Sequence, residues 1–175
     1  MSTAYHQLGK FIVTFQNLEN EVNDLLVLMA DTDECVIRII ANDLEYAKRI
    51  NTADVLFARF VDLRNNTRTE SKAEFHNLMV ELHKLGERRN ELVHSSYIFW
   101  LNFQGNEGLL RTNSRLCGKN GKRKQIEEEL QPDAFDRDLQ RLSVAVSELH
   151  KFRLQIIDWL YPQEVYLNVS STTVK

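Results

Sequence analysis

The chain has 175 residues, is 43% hydrophobic and 27% charged, and holds only two prolines and six glycines, which points to a soluble, mainly helical globule rather than disorder or a β-sandwich. Its formal net charge of −3 does not announce a nucleic-acid binder, so any such role needs a local basic patch. No apolar run reaches membrane-spanning length, the opening MSTAYHQLGK lacks a signal-peptide core, and Cys35 and Cys117 stand outside any CxxC or His/Cys spacing. A cytoplasmic protein without membrane contact, disulfides or structural zinc is expected.

Leu8, Phe11, Ile12, Phe15, Leu18, Val22, Leu25, Leu26 and Met29 recur at three- and four-residue steps, which predicts a first core helix. After DTDE, where Thr32 or Asp31 offers a cap, Val36, Ile39, Ile40, Leu44, Ala47 and Ile50 continue the pattern. Leu56, Phe57, Phe60 and Val61 extend it to Leu63, and RNNTRTE follows as a polar connector. A third helix is predicted from Ser71 to His94 through Phe75, Leu78, Met79, Leu82, Leu85, Leu92 and Val93. Past a non-helical stretch, a fourth opens at Pro132 and runs through Phe135, Leu139, Leu142, Val146, Leu149, Phe152, Ile156, Trp159 and Leu160 until Pro162 ends it. Residues 163–175 read as a flexible tail.

Between the third and fourth helices, YIFWLNF is β-prone, QGNEG is turn chemistry and LLRTNSRL can return antiparallel, which predicts a β-hairpin. Phe99 and Trp100 would form the hairpin's own core or a platform for bases. CGKNGKRKQ follows as a glycine-marked loop. Arg111, Arg115, Lys119, Lys122, Arg123 and Lys124 occur with no acidic residue between them, and this run reads either as a solvated loop or as an arm that tracks phosphates. The expected architecture is all-α: one domain over 1–162, an antiparallel bundle of four to five helices with a hairpin and basic loop inserted at 97–128.

Three residues break their helical patterns. On a wheel of the third helix with His76 at zero, the apolar face centres near roughly 230° and Arg89 falls at about 220°, inside it, whereas Arg88 at about 120° sits at its margin. An unpaired guanidinium is costly to bury, so Arg89 implies a polar environment at that height. Asn90 lies four residues before His94 and can orient its imidazole. Glu19 and Asp43 interrupt the stripes of the first two helices; they read either as inward partners for an arginine or as rim residues facing water. His76, His83 and Glu87 share a helix face, at a spacing more usual for a solvated stripe than for metal ligands. Ser95, Ser96 and Cys117 sit in no nucleophile motif, and no phosphate-binding glycine loop occurs.

The segment RNELVH, Arg89 to His94, resembles the R-x(4–6)-H signature of the HEPN superfamily, in which a polar residue, often asparagine, follows the arginine near the end of a helix in an all-α bundle. The resemblance implies a metal-independent, cofactor-free endoribonuclease acting as a homodimer, with two copies of the motif forming one composite cleft. RNA carries its own nucleophile, the 2′-hydroxyl; His94 would transfer protons, Arg89 would stabilise the phosphorane, and Asn90 would position His94 or the phosphate. Arg88 and the basic run from Arg111 to Lys124 would bind substrate, with Glu19, Asp43 and Tyr97 in support. It further implies a toxin with a cognate antitoxin or nucleotidyltransferase, or an antiviral effector. In toxins whose nucleotidyltransferase modifies a tyrosine, that tyrosine follows the histidine by two residues, whereas Tyr97 follows His94 by three; Tyr97 reads instead as the opening of the hairpin. The alternative is a catalytically silent helical dimer that binds protein or nucleic acid.

Overall fold

The computed structural model describes residues 3–101, 105, 107–117 and 122–162, with 115–117 and 122–124 described by backbone alone. In chain order the elements are α1 (Ala4–Ala30), α2 (Glu34–Asp43), α3 (Tyr46–Asp62), α4 (Ser71–Val93), β1 (Ser96–Leu101), β2 (Glu107–Cys117), β3 (Lys122–Leu130), a short 3-10 turn (Pro132–Phe135) and α5 (Asp136–Leu160). The chain is mostly helical, as expected, but it is not purely α. The expected hairpin is part of a three-stranded antiparallel sheet in the order β1-β2-β3. Its third strand occupies residues expected as a basic loop. β3 pairs along β2 from Cys117↔Lys122 to Leu109↔Leu130, and IEEEL alternates Ile126, Glu128 and Leu130 on one face with Glu127 and Glu129 on the other. Consecutive glutamates obscure that period in the sequence.

The predicted second helix is two helices. Leu44 is extended and Glu45 stands at the N-terminal boundary of α3 without a side-chain capping bond, so the chain turns between Asp43 and Tyr46. The consequence for packing is large. Ile50, Ala53, Phe57, Phe60 and Val61 of α3 are buried, whereas α2 buries only Ala41 and leaves Val36, Ile39 and Ile40 exposed, Ile39 by 71%. The expectation that α2 carries core residues is therefore corrected. The cap is Asp33, whose Oδ1 accepts from the Val36 amide at 3.0 Å, in place of Thr32 or Asp31. Asp31 instead takes a left-handed φ of 49° directly after α1, a common way to end a helix.

The chain divides into two compact units, Met1–Leu18 with His83–Val144 and Glu19–Leu82 with Ala145–Lys175. The second unit is held by an aromatic cluster. Phe57 stacks on Phe75 with centroids 4.1 Å apart, and Phe152 meets both rings edge-on at 5.5 and 5.0 Å, joining α3, α4 and α5 through contacts that add to area burial. The Tyr46 hydroxyl donates to the Leu82 carbonyl at 2.9 Å; burial, with Glu19 nearby, pushes its ionisation upward. On the surface of this unit the His76 ring hydrogen-bonds Asp54. The first unit buries Phe11, Phe15, Leu85, Leu92, Leu109, Leu130, Phe135 and Leu142. Gly105 turns β1 into β2 at φ +78°. The Trp100 ring lies over its cross-strand partner Gly108, where an added Cβ would come within 2.8 Å of the ring.

Candidate functional site

α4 delivers Arg88, Arg89 and Asn90 on its last two turns, and His94 is the first residue beyond it. A helix end leaves its final carbonyls without intrahelical donors, and here the sheet supplies them. Arg111 of β2 donates from Nη1 to the Glu91 carbonyl and to Ser95 Oγ, each at 3.2 Å. Ser95 Oγ itself donates to the Glu91 carbonyl, and the Tyr97 hydroxyl donates to the Leu92 carbonyl at 2.6 Å. The His94 amide closes the last turn on the Asn90 carbonyl at 3.0 Å. A guanidinium at this end also complements the partial negative charge of the helix terminus.

Behind this cap lies a charge network. Glu128 of β3 receives Arg88 Nη1 and Nη2 as a two-pronged pair, both at 2.9 Å, and Arg111 Nε at 2.7 Å. Arg88 Nε donates to Asp138 of α5 at 2.7 Å. Burial alone would raise the Glu128 carboxyl, but the hydrogen bonds and charge of Arg88 and Arg111 outweigh it and hold the group below its ordinary value. The same pairing overcomes the burial of Arg88 and raises its guanidinium. Burial also pushes the Tyr97 phenol up, against the pull of Arg111 and Arg88. Arg111 is only 4% exposed.

Arg89 is placed differently. Its guanidinium is half-buried, 5.9 Å from the Phe15 ring centroid, and donates to the Asn90 Oδ1 at 3.1 Å. The aromatic face tolerates a cation where the helical pattern calls for an aliphatic side chain. Among the described residues no carboxylate pairs with it. His94 is exposed and lines a cavity of about 300 Å³ with Ser96, Thr112, Asn113, Ser114 and Gln125.

The structure thus brings Arg89, Asn90 and His94 to one helix end, with the Asn90 amide engaged by Arg89. Arg88 and Arg111, read from the sequence as substrate-binding, are held in ion pairs inside the unit. The side chains of Arg115, Lys119, Lys122, Arg123 and Lys124 lie outside the described residues, as does the tail from 163. Asp43 is exposed, so of its two readings the rim is the observed one; Glu19 is half-buried. Sequence reasoning missed Glu128, Asp138 and the neutral residues of the cavity. Period-two spacing of Ile126, Glu128 and Leu130 was the available signal for the first; Asp138 offered none. Among the described residues no helix is long and apolar enough to cross a membrane. Comparison with protein-family models, curated proteins and solved structures finds no match.

Proposed function

We propose that the chain is an endoribonuclease of the HEPN type, working through Arg89, Asn90 and His94. The 2′-hydroxyl of RNA attacks the adjacent phosphorus, the 5′-oxygen leaves, and the products carry a 2′,3′-cyclic phosphate and a 5′-hydroxyl. The observation that carries this reading is the contrast between two neighbouring arginines. Arg88 is neutralised by Glu128 and Asp138, whereas Arg89 has no acidic partner among the described residues. A half-buried guanidinium without a carboxylate is available to a phosphate, which it can bind in a forked geometry. His94, one residue past the helix end and open to solvent, is accessible for proton transfer.

The reaction needs a base for the 2′-hydroxyl and an acid for the leaving oxygen, and each chain brings one His94 to this helix end. Two chains therefore complete the site. The β1 edge supports association: Ser96–Leu101 contains no charged residue or proline, with Ile98, Phe99 and Leu101 exposed, where protein edges are usually guarded by charge or proline. No metal or cofactor enters this scheme. The proposed setting is the cytoplasm, as a toxin with a cognate antitoxin or nucleotidyltransferase, or as an antiviral effector.

A second reading, a catalytically silent dimer that binds a partner, draws on the neutralisation of Arg88 and Arg111, two cations that an RNA groove would otherwise use. Incubation with single-stranded RNA in the presence of a chelator, followed by analysis of the ends, separates the two. The nuclease reading expects cyclic phosphate ends, and a loss of about 10²–10⁴-fold in rate for His94→Ala with unchanged melting. Absence of cleavage by the wild-type chain over a broad RNA pool, or cleavage undiminished in His94→Ala, favours the binding module.

A further inference from the structure

Tyr97, Arg111 and Glu128 stand directly opposite one another across β1, β2 and β3, so their side chains form one row on a single sheet face. That row meets the last turn of α4. The Tyr97 hydroxyl donates to the Leu92 carbonyl, Arg111 donates to the Glu91 carbonyl and Ser95 Oγ, and Glu128 holds Arg111 from the other side. His94 lies inside this set of attachments. Glu91 and Leu92, whose carbonyls are taken, come just before it, and the Ser95 hydroxyl, bound to the Glu91 carbonyl, comes just after. Its own amide is closed on the Asn90 carbonyl.

The imidazole is held by nothing comparable. It is exposed, and among the described residues it makes no hydrogen bond or ion pair; Asn90, four residues earlier, turns its side-chain oxygen to Arg89. A histidine that moves protons is commonly oriented through a hydrogen bond to its second ring nitrogen. Here the direction of the ring rests on the backbone beneath it. Holding that backbone takes an unusual residue. Helices commonly end on a glycine, which brings no charge into the fold, whereas this end is secured by a guanidinium only 4% exposed, which needs Glu128 as its counter-charge. Arg111 Nη1 carries two hydrogens, one for each of its acceptors at 3.2 Å, while Nε is turned to Glu128 at 2.7 Å. Lysine, a point donor on a flexible stem, cannot span the two sides.

We propose that Arg111, fixed by Glu128, is a positioning residue for His94: with Ser95 and Tyr97 it clamps the end of α4, so that the imidazole is presented to the phosphodiester from a rigid backbone instead of through a hydrogen-bonded ring. The reaction served is that of the nuclease reading, on which this role rests. Arg111 does not touch RNA in this scheme; it acts one layer behind the reacting groups, through the helix end that carries them. Such a clamp matters because a displacement of about 1 Å at a reacting group can cost about 10²-fold in rate. Functional groups hold their geometry when the residues behind them are themselves locked by hydrogen bonds, and the row Tyr97, Arg111, Glu128 is locked in that way. The sheet is then part of the catalytic apparatus.

The test compares the wild type with Arg111→Lys and Ser95→Ala, using ¹⁵N relaxation of the His94 amide and steady-state cleavage of single-stranded RNA. In the wild type the His94 amide should be as rigid as the interior of α4, with an order parameter of about 0.85, and in both variants it should fall toward about 0.6. Arg111→Lys should lower kcat about 10- to 10²-fold and Ser95→Ala about three- to tenfold, with KM unchanged within about twofold because the grip of Arg89 on phosphate is untouched. In a His94→Ala background Arg111→Lys should lower the rate no further, since nothing is left to position. A general loss of stability would lower it in both backgrounds. Ser95→Ala, which removes a single hydroxyl, carries the test where Arg111→Lys does not fold. A His94 amide already mobile in the wild type, order parameters unchanged in the variants, a rise in KM alone, or an equal loss in the His94→Ala background overturns the clamp. Each leaves the nuclease standing as long as His94→Ala itself abolishes cleavage. A wild-type chain that cleaves no RNA sinks the nuclease reading, and this use of the clamp with it.

Discussion

Replacing Glu128 by glutamine keeps the shape of the side chain and removes the charge that joins β3 to β2 and α4. In the wild type this carboxylate accepts three guanidinium hydrogen bonds of 2.7–2.9 Å from Arg88 and from Arg111, whose side chain is 4% exposed. Glutamine offers one acceptor oxygen in place of two, and its amide N–H groups face donors. Breaking a buried pair while leaving its partner behind costs about 3–5 kcal/mol. Asp138 still holds Arg88 and the glutamine oxygen keeps one bond, so a loss near ~3 kcal/mol is expected. For a chain of this length each kcal/mol moves the midpoint by about 2–4 °C, so thermal unfolding followed by circular dichroism should show Tm lowered by about 6–12 °C. Glu127→Gln, on the opposite sheet face, is the control and should shift Tm by no more than about 1–2 °C. The pH dependence carries the same signature. The folded Glu128 carboxyl is held below its ordinary 4.5, so its stabilisation is complete above that value and is lost as pH falls through the folded value. Below about pH 5 the wild type should therefore lose more stability with falling pH than Glu128→Gln. Equal melting of Glu128→Gln and Glu127→Gln would refute the claim that this network secures the sheet to the helix end.

Two further outcomes follow from packing. Gly108→Ala places a Cβ 2.8 Å from the Trp100 ring; the ring must move, at a cost of about 1–3 kcal/mol, and a Trp159→Phe background lets Trp100 emission report the displacement. Ile39→Ser, at a site 71% exposed, should change stability by less than about 0.5 kcal/mol, whereas Ile50→Ala, fully buried in α3, should cost about 2–5 kcal/mol. A large loss at Ile39 in dilute monomer would mean that this face of α2 is buried rather than exposed.

The helices were legible wherever apolar residues kept a strict three- and four-residue spacing, as in α1, α4 and α5, because that period records a single buried face. The pattern from Val36 to Leu63 is equally regular, yet it hides a turn at Leu44 and Glu45. Periodicity reports which residues share a face and is silent on whether that face is covered, so α2 and α3 look alike in sequence while only α3 is buried. Arg89 announced itself as a cation on an apolar face, and the Phe15 ring accounts for it. The relative standing of the two arginines was inverted: Arg88, at the margin of the wheel, is the neutralised one, because its acids arrive from β3 and α5, 40 and 50 residues away.

Sequence alone determined the helical character, the positions of the long helices and the joint presence of Arg89, Asn90 and His94 near a helix end, since each depends on neighbours within a few residues. Tertiary structure decided which charges are occupied, that β3 exists as a strand, and that a cavity opens beside His94. Those properties depend on cross-strand register and on contacts between segments distant in the chain, and neither leaves a local period to read.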